Sequence, residues 1–186
     1  MSGIKNATEI AKMLVYLISL NDDGKIDNMI LNKLLYYAQG HHMVKTGSPI
    51  FSDVIQAWDH GPVVPEVYHR FKGFGHHPII LTDIPDEVVF STEEIESLLE
   101  VVHHHAGNSG IRLRNLTHLS GAPWSTVYAE GMSNEIPLQI IHEYFANHEA
   151  IATISDQLSK IPIELVTTDA NGTWVIPKSE KDEYEA

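Results

Sequence analysis

The segment from Asp27 to Gly47 constrains the fold most, because it predicts one helix with an apolar stripe and a second, opposite face that is not simply polar. Asp27 suits the N-cap, and Gly47 with Pro49 just beyond it ends the helix. A helix with two such faces is packed from both sides or presents one of them to a partner. One face carries Ile30, Leu31, Leu34, Leu35, Ala38, His41 and His42, and the other carries Lys33, Tyr36, Tyr37, Gly40 and Val44.

Gly40 lies in the middle of this predicted helix. A glycine there costs about 1 kcal/mol relative to alanine, so its presence needs a reason. We therefore expect another part of the chain to approach the helix backbone closely at this position.

Helix signals also occur on both sides of this segment. Capping boxes start at Asn6 and Ser91, and Pro65, Pro123 and Pro137 suit the first turns of three further helices. Gly61-Pro62 predicts a turn between an extended piece ending at Trp58 and the helix that starts at Pro65.

The C-terminal region has a different pattern. Asn171-Gly172 lies between two short extended runs, which predicts a β-hairpin, and residues 178–186 are mostly charged. We therefore predict a mainly α fold, with a compact single helical domain over residues 1–149 that includes short extended segments. Residues 150–186 would add a helix extension, a small C-terminal β-hairpin and a charged tail.

The amino-acid composition and the net charge exclude several classes of fold and of binding partner. The chain has 43% hydrophobic residues and no cysteine, which excludes wholesale disorder, disulfide scaffolds and thiol nucleophiles. Its net charge of −13 repels phosphate backbones and anionic lipids, so we expect no nucleic-acid and no membrane partner. The N-terminus does not resemble a signal peptide, and a cytoplasmic location is expected.

The twelve histidines do not follow the spacing of a metal site. No two lie three or four positions apart, and the run from His103 to His105 points in three directions on a helix. Neither a phosphate-binding glycine loop nor Gly-x-Ser-x-Gly occurs. We therefore predict a non-enzymatic protein without catalytic residues, metal or cofactor. A metal-dependent enzyme with a site assembled from His60, His69 and His76 is the remaining alternative.

The stretch from Trp58 to Tyr68 combines aromatic side chains with a rigid backbone. Gly61, Pro62 and Pro65 restrict the chain between the two aromatics. Rigid aromatics beside a turn are good binding anchors, because little rotamer entropy is lost on contact. The same aromatics could instead fill the core, and the sequence leaves both interpretations open.

These segments together resemble the Panacea domain, also called the SocA-like antitoxin domain. The resemblance covers roughly residues 7–146, and its parts occur in the family's order and at similar spacing. It is carried by residues 33–42, 57–58, 60–65, 67–68 and 113–118, by Pro123-Trp124, and by Ile136, Ile140 and Tyr144-Phe145.

The resemblance implies a mainly helical domain of bacteria, phages and prophages. Many such proteins are antitoxins that neutralise a toxin by direct contact. One is a proteolytic adaptor that delivers its toxin to an ATP-dependent protease of the Clp type, and other phage-associated members have no assigned role. The family brings no catalytic residues with it.

We therefore expect a toxin-binding protein whose partner is a cognate toxin, with a Clp-type protease as a second partner if it acts as an adaptor. A phage accessory protein that binds a host factor is the alternative, and the oligomeric state is not predicted. The expected contact residues are Lys33, Tyr36, Tyr37, Trp58, His60, Tyr68, His118 and Trp124. In this interpretation the aromatics are anchors, Lys33 forms an ion pair, and the histidines donate hydrogen bonds.

Overall fold

The structure, a computed structural model, describes residues 4–20, 25–81, 89–148, 167–168 and 174–175. Within them, helices predominate, and the predicted mainly α fold is confirmed. The helices are α1 (Ala7–Ser19), α2 (Asn28–Thr46), α3 (Pro65–Phe71), α4 (Thr92–His105), α5 (Gly110–Thr117), α6 (Pro123–Val127) and α7 (Leu138–His148). The strands are β1 (Gln56–Trp58), β2 (Gly61–Val63), β3 (Asn134–Glu135), β4 (Thr167–Thr168) and β5 (Trp174–Val175).

Helix α2 lies at the centre of the fold. It contacts α1, α3, α4, α5, α7 and β2, and every residue from 31 to 43 is buried. The Asp27 carboxylate accepts a hydrogen bond from the Ile30 N–H, and Gly47 ends the helix with φ 73°. The two-faced pattern therefore reflects packing on both sides of the helix.

Gly40 is a point of close approach between α2 and α7. A Cβ atom at position 40 would lie 2.5 Å from ring atoms of Phe145. That ring also packs edge-on against Tyr36 and Tyr37, with centroids 5.4 and 5.9 Å away. The close approach predicted from the glycine is confirmed, and its cause is an aromatic ring seated on the helix backbone.

The starts of α1 and α4 are joined by a buried ion pair. Asn6 and Ser91 form the predicted capping boxes. Glu94, the acidic member of the second box, also pairs with the buried Lys5 amine at 2.8 Å. One carboxylate thus caps its own helix and ties it to the N-terminal one.

A small antiparallel sheet with strand order β2-β1-β3 lies beside α2. Trp58 pairs with Gly61, so the turn consists of Asp59 and His60. The turn predicted at Gly61-Pro62 is therefore wrong, because both residues belong to β2. Strand β3 was not predicted, since two residues carry no readable alternation.

The predicted C-terminal hairpin is present as the β4–β5 pair, in which Thr167 faces Val175 and Thr168 faces Trp174. Its turn, the helix extension and the charged tail lie outside the described residues, and the division at residue 149 stays a prediction. In the described ranges, no helix combines the length and the apolar character needed to cross a bilayer.

We predict that Gly40→Ala destabilises the protein by about 1–3 kcal/mol, because the added methyl overlaps the Phe145 ring. Helix propensity alone would favour alanine by about 1 kcal/mol, so the two effects have opposite signs. Urea unfolding measures the difference. Gly73→Ala is the matched control, because a Cβ there meets nothing within 4 Å. Equal stability of the two variants would contradict the proposed packing.

Candidate functional site

A cavity of about 570 Å³ opens beside the β1–β2 turn. Its walls come from the N-terminal half of α2, the β1–β2 hairpin, α3 with the residues that follow it, and residues 131–133. Four of the eight predicted contact residues line it, namely Lys33, Trp58, His60 and Tyr68. The hairpin and α3 thus bring together residues that lie far apart in the sequence.

Lys33 lies beneath strand β2 and is only 1% exposed. Its amine donates a hydrogen bond to the Pro62 carbonyl at 2.9 Å. Burial, and secondly the charge of Arg114, lower the pKa of this amine to about 7, against an opposing effect of Asp27. In the described part of the chain no carboxylate lies within ion-pair distance of this amine, and an ion pair of Lys33 with a partner stays a prediction.

Gly61 is the residue that makes room for Lys33. A Cβ at position 61 would lie 2.8 Å from both the Lys33 Cε and the Thr117 Oγ1. Its φ of 103° is also one that residues with a side chain rarely adopt. The glycine is therefore required here both by backbone conformation and by the lysine beneath it.

Two buried asparagines, which were not among the predicted residues, hold the cavity walls together. The Asn32 amide donates to Asn28, and its carbonyl oxygen accepts from the Val64 N–H at 2.9 Å. Asn28 in turn donates to the Tyr68 carbonyl at 3.0 Å. The signal available in the sequence was their four-residue spacing, which places both amides on one face of α2 beside Lys33.

Trp58 and Tyr68 form one aromatic wall of the cavity. Their rings pack edge to face with centroids 4.9 Å apart, and both side chains are half-buried. The Trp58 indole N–H donates to the Gln56 side chain at 2.9 Å. His60 is exposed in the adjoining turn. Trp58 and Tyr68 are thus each partly packed against the protein and partly exposed to solvent.

The turn is held from behind by His118, Trp124 and Tyr128, which we call the turn clasp. The Trp124 indole donates to the Trp58 carbonyl at 2.8 Å, and the Tyr128 hydroxyl donates to the Asp59 carboxylate at 3.0 Å. Trp124 lies between the other two rings, with centroid distances of 3.6 Å to His118 and 4.3 Å to Tyr128. Burial is the main cause that lowers the pKa of His118. The clasp gives the turn a defined conformation.

The remaining predicted contact residues, Tyr36 and Tyr37, lie in the core. They are 2% and 6% exposed, and Tyr37 stacks on His105 at 3.9 Å. Burial, followed by the charges of His41 and His104, lowers the pKa of His105 to about 3. A role of these tyrosines in partner contact stays a prediction.

The histidines do not converge on a metal centre in the described ranges. No group of three or more His, Asp or Glu side chains there could hold a metal ion. His60, His69 and His76 therefore do not form the metal site that was considered as an alternative. His60 and His76 line the cavity, whereas His69 packs near Trp58 with ring centroids 6.3 Å apart.

We predict that stability rises with pH above 7 because of Lys33. Between about pH 7 and pH 10.5 the unfolded amine keeps a proton that the folded one has released. The free energy of unfolding therefore rises by up to about 1.4 kcal/mol per pH unit because of this group. Urea unfolding of the wild type and Lys33→Met across this range isolates the effect. Parallel curves for the two proteins would contradict the assigned burial of the amine.

Comparisons with known proteins identify the family to which this chain belongs. A family described as "Antitoxin SocA-like, Panacea domain" matches residues 31–125, just over half of the chain. A curated relative named Antitoxin SocA, from Caulobacter vibrioides (strain NA1000 / CB15N), is 32% identical over 115 residues. The alignment covers 56% of this chain and 61% of the relative, so it spans less than two thirds of that protein. No solved structure is significantly similar. The matched residues run from α2 through the hairpin and α3 into α6, and the chain belongs to the Antitoxin SocA-like, Panacea domain family.

Proposed function

We propose that this protein is an antitoxin that neutralises a cognate toxin by direct protein contact. The observation that carries the proposal is the family match over residues 31–125, which includes α2, the β1–β2 hairpin and α3. A relative that is 32% identical over 115 residues is named as an antitoxin. The contact surface is the β1–β2 turn with the rim of the cavity beside it.

The geometry of the turn supports this choice of surface. Asp59 and His60 are exposed, while the clasp holds the Trp58 carbonyl and the Asp59 carboxylate from behind. A loop that is already ordered loses little conformational entropy when a partner binds. Trp58 adds a rigid aromatic next to the turn, the type of side chain that dominates many protein interfaces.

The net charge of the chain indicates the charge expected on the surface of the toxin. A net charge of −13 attracts a basic partner over several ångströms and raises the rate of productive encounter. We therefore expect a basic surface on the toxin.

The proposal is tested with the product of the adjacent gene. Expression of that product alone should arrest growth, co-expression with this chain should restore it, and the two proteins should co-elute as a complex. Restored growth without a complex, lost in cells that lack the Clp-type protease, would mean that the chain acts as an adaptor that delivers the toxin for degradation. A harmless neighbour would contradict the antitoxin role.

We predict that His60→Ala weakens toxin binding by at least about fivefold and Trp58→Ala by at least about tenfold. Both side chains border the exposed turn, and His60 is too exposed to matter for folding. Titration calorimetry measures binding, and circular dichroism checks that each variant is folded. His103→Ala is the control, an exposed histidine of α4 that does not line the cavity. Equal binding by all three variants would place the interface elsewhere.

A second prediction concerns ionic strength. The association rate constant with the toxin should fall at least about tenfold between low and high salt, because screening removes long-range attraction. The dissociation rate should change much less, since short-range contacts are screened weakly. Stopped-flow measurement at several salt concentrations separates the two. An association rate that does not depend on salt would contradict attraction by the acidic surface.

A further inference from the structure

The cavity beside the turn has the opposite charge character to the chain as a whole. Acidic residues outnumber Lys and Arg by 25 to 12 in the sequence. The cavity lining instead contains two lysines, Lys33 and Lys72, against the single acid Asp59, and it also contains His60 and His76. The Asp59 carboxylate already accepts the hydrogen bond from Tyr128. Among its charged side chains, the cavity lining is therefore more basic than the chain as a whole.

The Lys33 amine can donate more hydrogen bonds than it makes to the described residues. A lysine amine carries up to three N–H groups, and the Pro62 carbonyl is its one hydrogen-bond acceptor among the described residues. Lys33 belongs to the cavity lining although it is only 1% exposed, so a small part of it borders the cavity. Buried donors without acceptors are unfavourable, so an anion entering from the cavity would gain a charge-assisted hydrogen bond.

The rest of the cavity suits an apolar body. Trp58 and Tyr68 form its aromatic wall, and Met29 and Val63 add apolar surface. Its volume of about 570 Å³ falls within the range of small-molecule sites, roughly 300–1,000 Å³. The asparagine pair bonds α2 to Val64 and to Tyr68 of α3, which supports the cavity walls without a ligand.

We propose that this cavity binds a small-molecule carboxylate with a ring or a short aliphatic body, whose carboxylate pairs with Lys33. A carboxylate fits better than a phosphate because one buried ammonium matches a single negative charge. Phosphate sites usually provide arginine forks or several backbone N–H groups, and no arginine lines this cavity in the described chain. The site does not depend on the toxin-binding role, and it would be present in the isolated protein.

Titration of the full-length protein with three carboxylates, indole-3-acetate, benzoate and octanoate, tests the proposal. At least one should bind with a Kd below roughly 10 mM and shift the NMR signal of the Trp58 indole N–H. The neutral counterpart of that carboxylate, such as indole-3-acetamide, should bind at least about tenfold more weakly, because it lacks the charge. Equal binding of acid and amide, or no binding of any of the three, would overturn the proposal.

Variants locate the anion within the cavity. Lys33→Met should weaken carboxylate binding at least about tenfold. Lys72→Gln, at the exposed mouth, should weaken it about two- to fivefold and cannot act through loss of the core. Arg112→Gln, an exposed cation outside the cavity, is the matched control and should leave the Kd unchanged. An equal effect of Lys72→Gln and Arg112→Gln would overturn the proposed location.

Proton uptake during ligand binding tests the role of Lys33 even if Lys33→Met does not fold. At pH 8 the free amine is mostly neutral, since its pKa is about 7, and a bound carboxylate would favour the charged form. Calorimetry in buffers of different ionisation enthalpy should therefore show uptake of roughly one proton on binding. The measurement is made in His60→Gln/His76→Gln, which removes the two histidines of the lining. Binding without proton uptake in that variant would overturn the assignment to Lys33.

Discussion

The burial of α2 on all sides is the constraint on which the rest of the structure depends. Five other helices and strand β2 contact it, so its side chains belong at once to the core and to the cavity wall. Gly40 permits one of these contacts by leaving space for the Phe145 ring on the helix backbone. Because interiors are densely packed, a change on one face of α2 displaces elements on the other.

The same helix determines the geometry of the candidate site. Asn28, Asn32 and Lys33 project from its first half and bond to α3, Val64 and Pro62 respectively. These hydrogen bonds are buried, and a buried polar group needs a hydrogen-bond partner with good geometry. They hold the hairpin at a fixed distance from α2, and the turn clasp does the same from the side of α5 and α6. The exposed turn and the cavity therefore form one supported unit.

Charge distinguishes two surfaces of this unit. The chain as a whole is strongly acidic, which favours long-range attraction of a basic protein. The lining of the cavity beside the turn has more lysines than acidic residues, and it includes the buried amine of Lys33, which favours an anion at short range. A protein partner at the rim and a small carboxylate in the cavity would thus be recognised by different physical effects.

The sequence by itself determined the features that depend on local chemistry. Helix caps at Asn6, Asp27 and Ser91, the two-faced pattern of α2 and the C-terminal hairpin follow from neighbouring residues. The glycine at position 40 indicated a close approach, but its partner, Phe145, lies far away in the sequence. The Trp58–Tyr68 stretch was recognised as special, but its turn was misplaced by two residues because proline and glycine also fit a short edge strand. Only the tertiary structure decided which candidate residues line the cavity and which are buried. Lys33 lies beneath Pro62, Tyr36 and Tyr37 face the core, and Lys72 and His76 join the site, because these relations depend on contacts between distant segments.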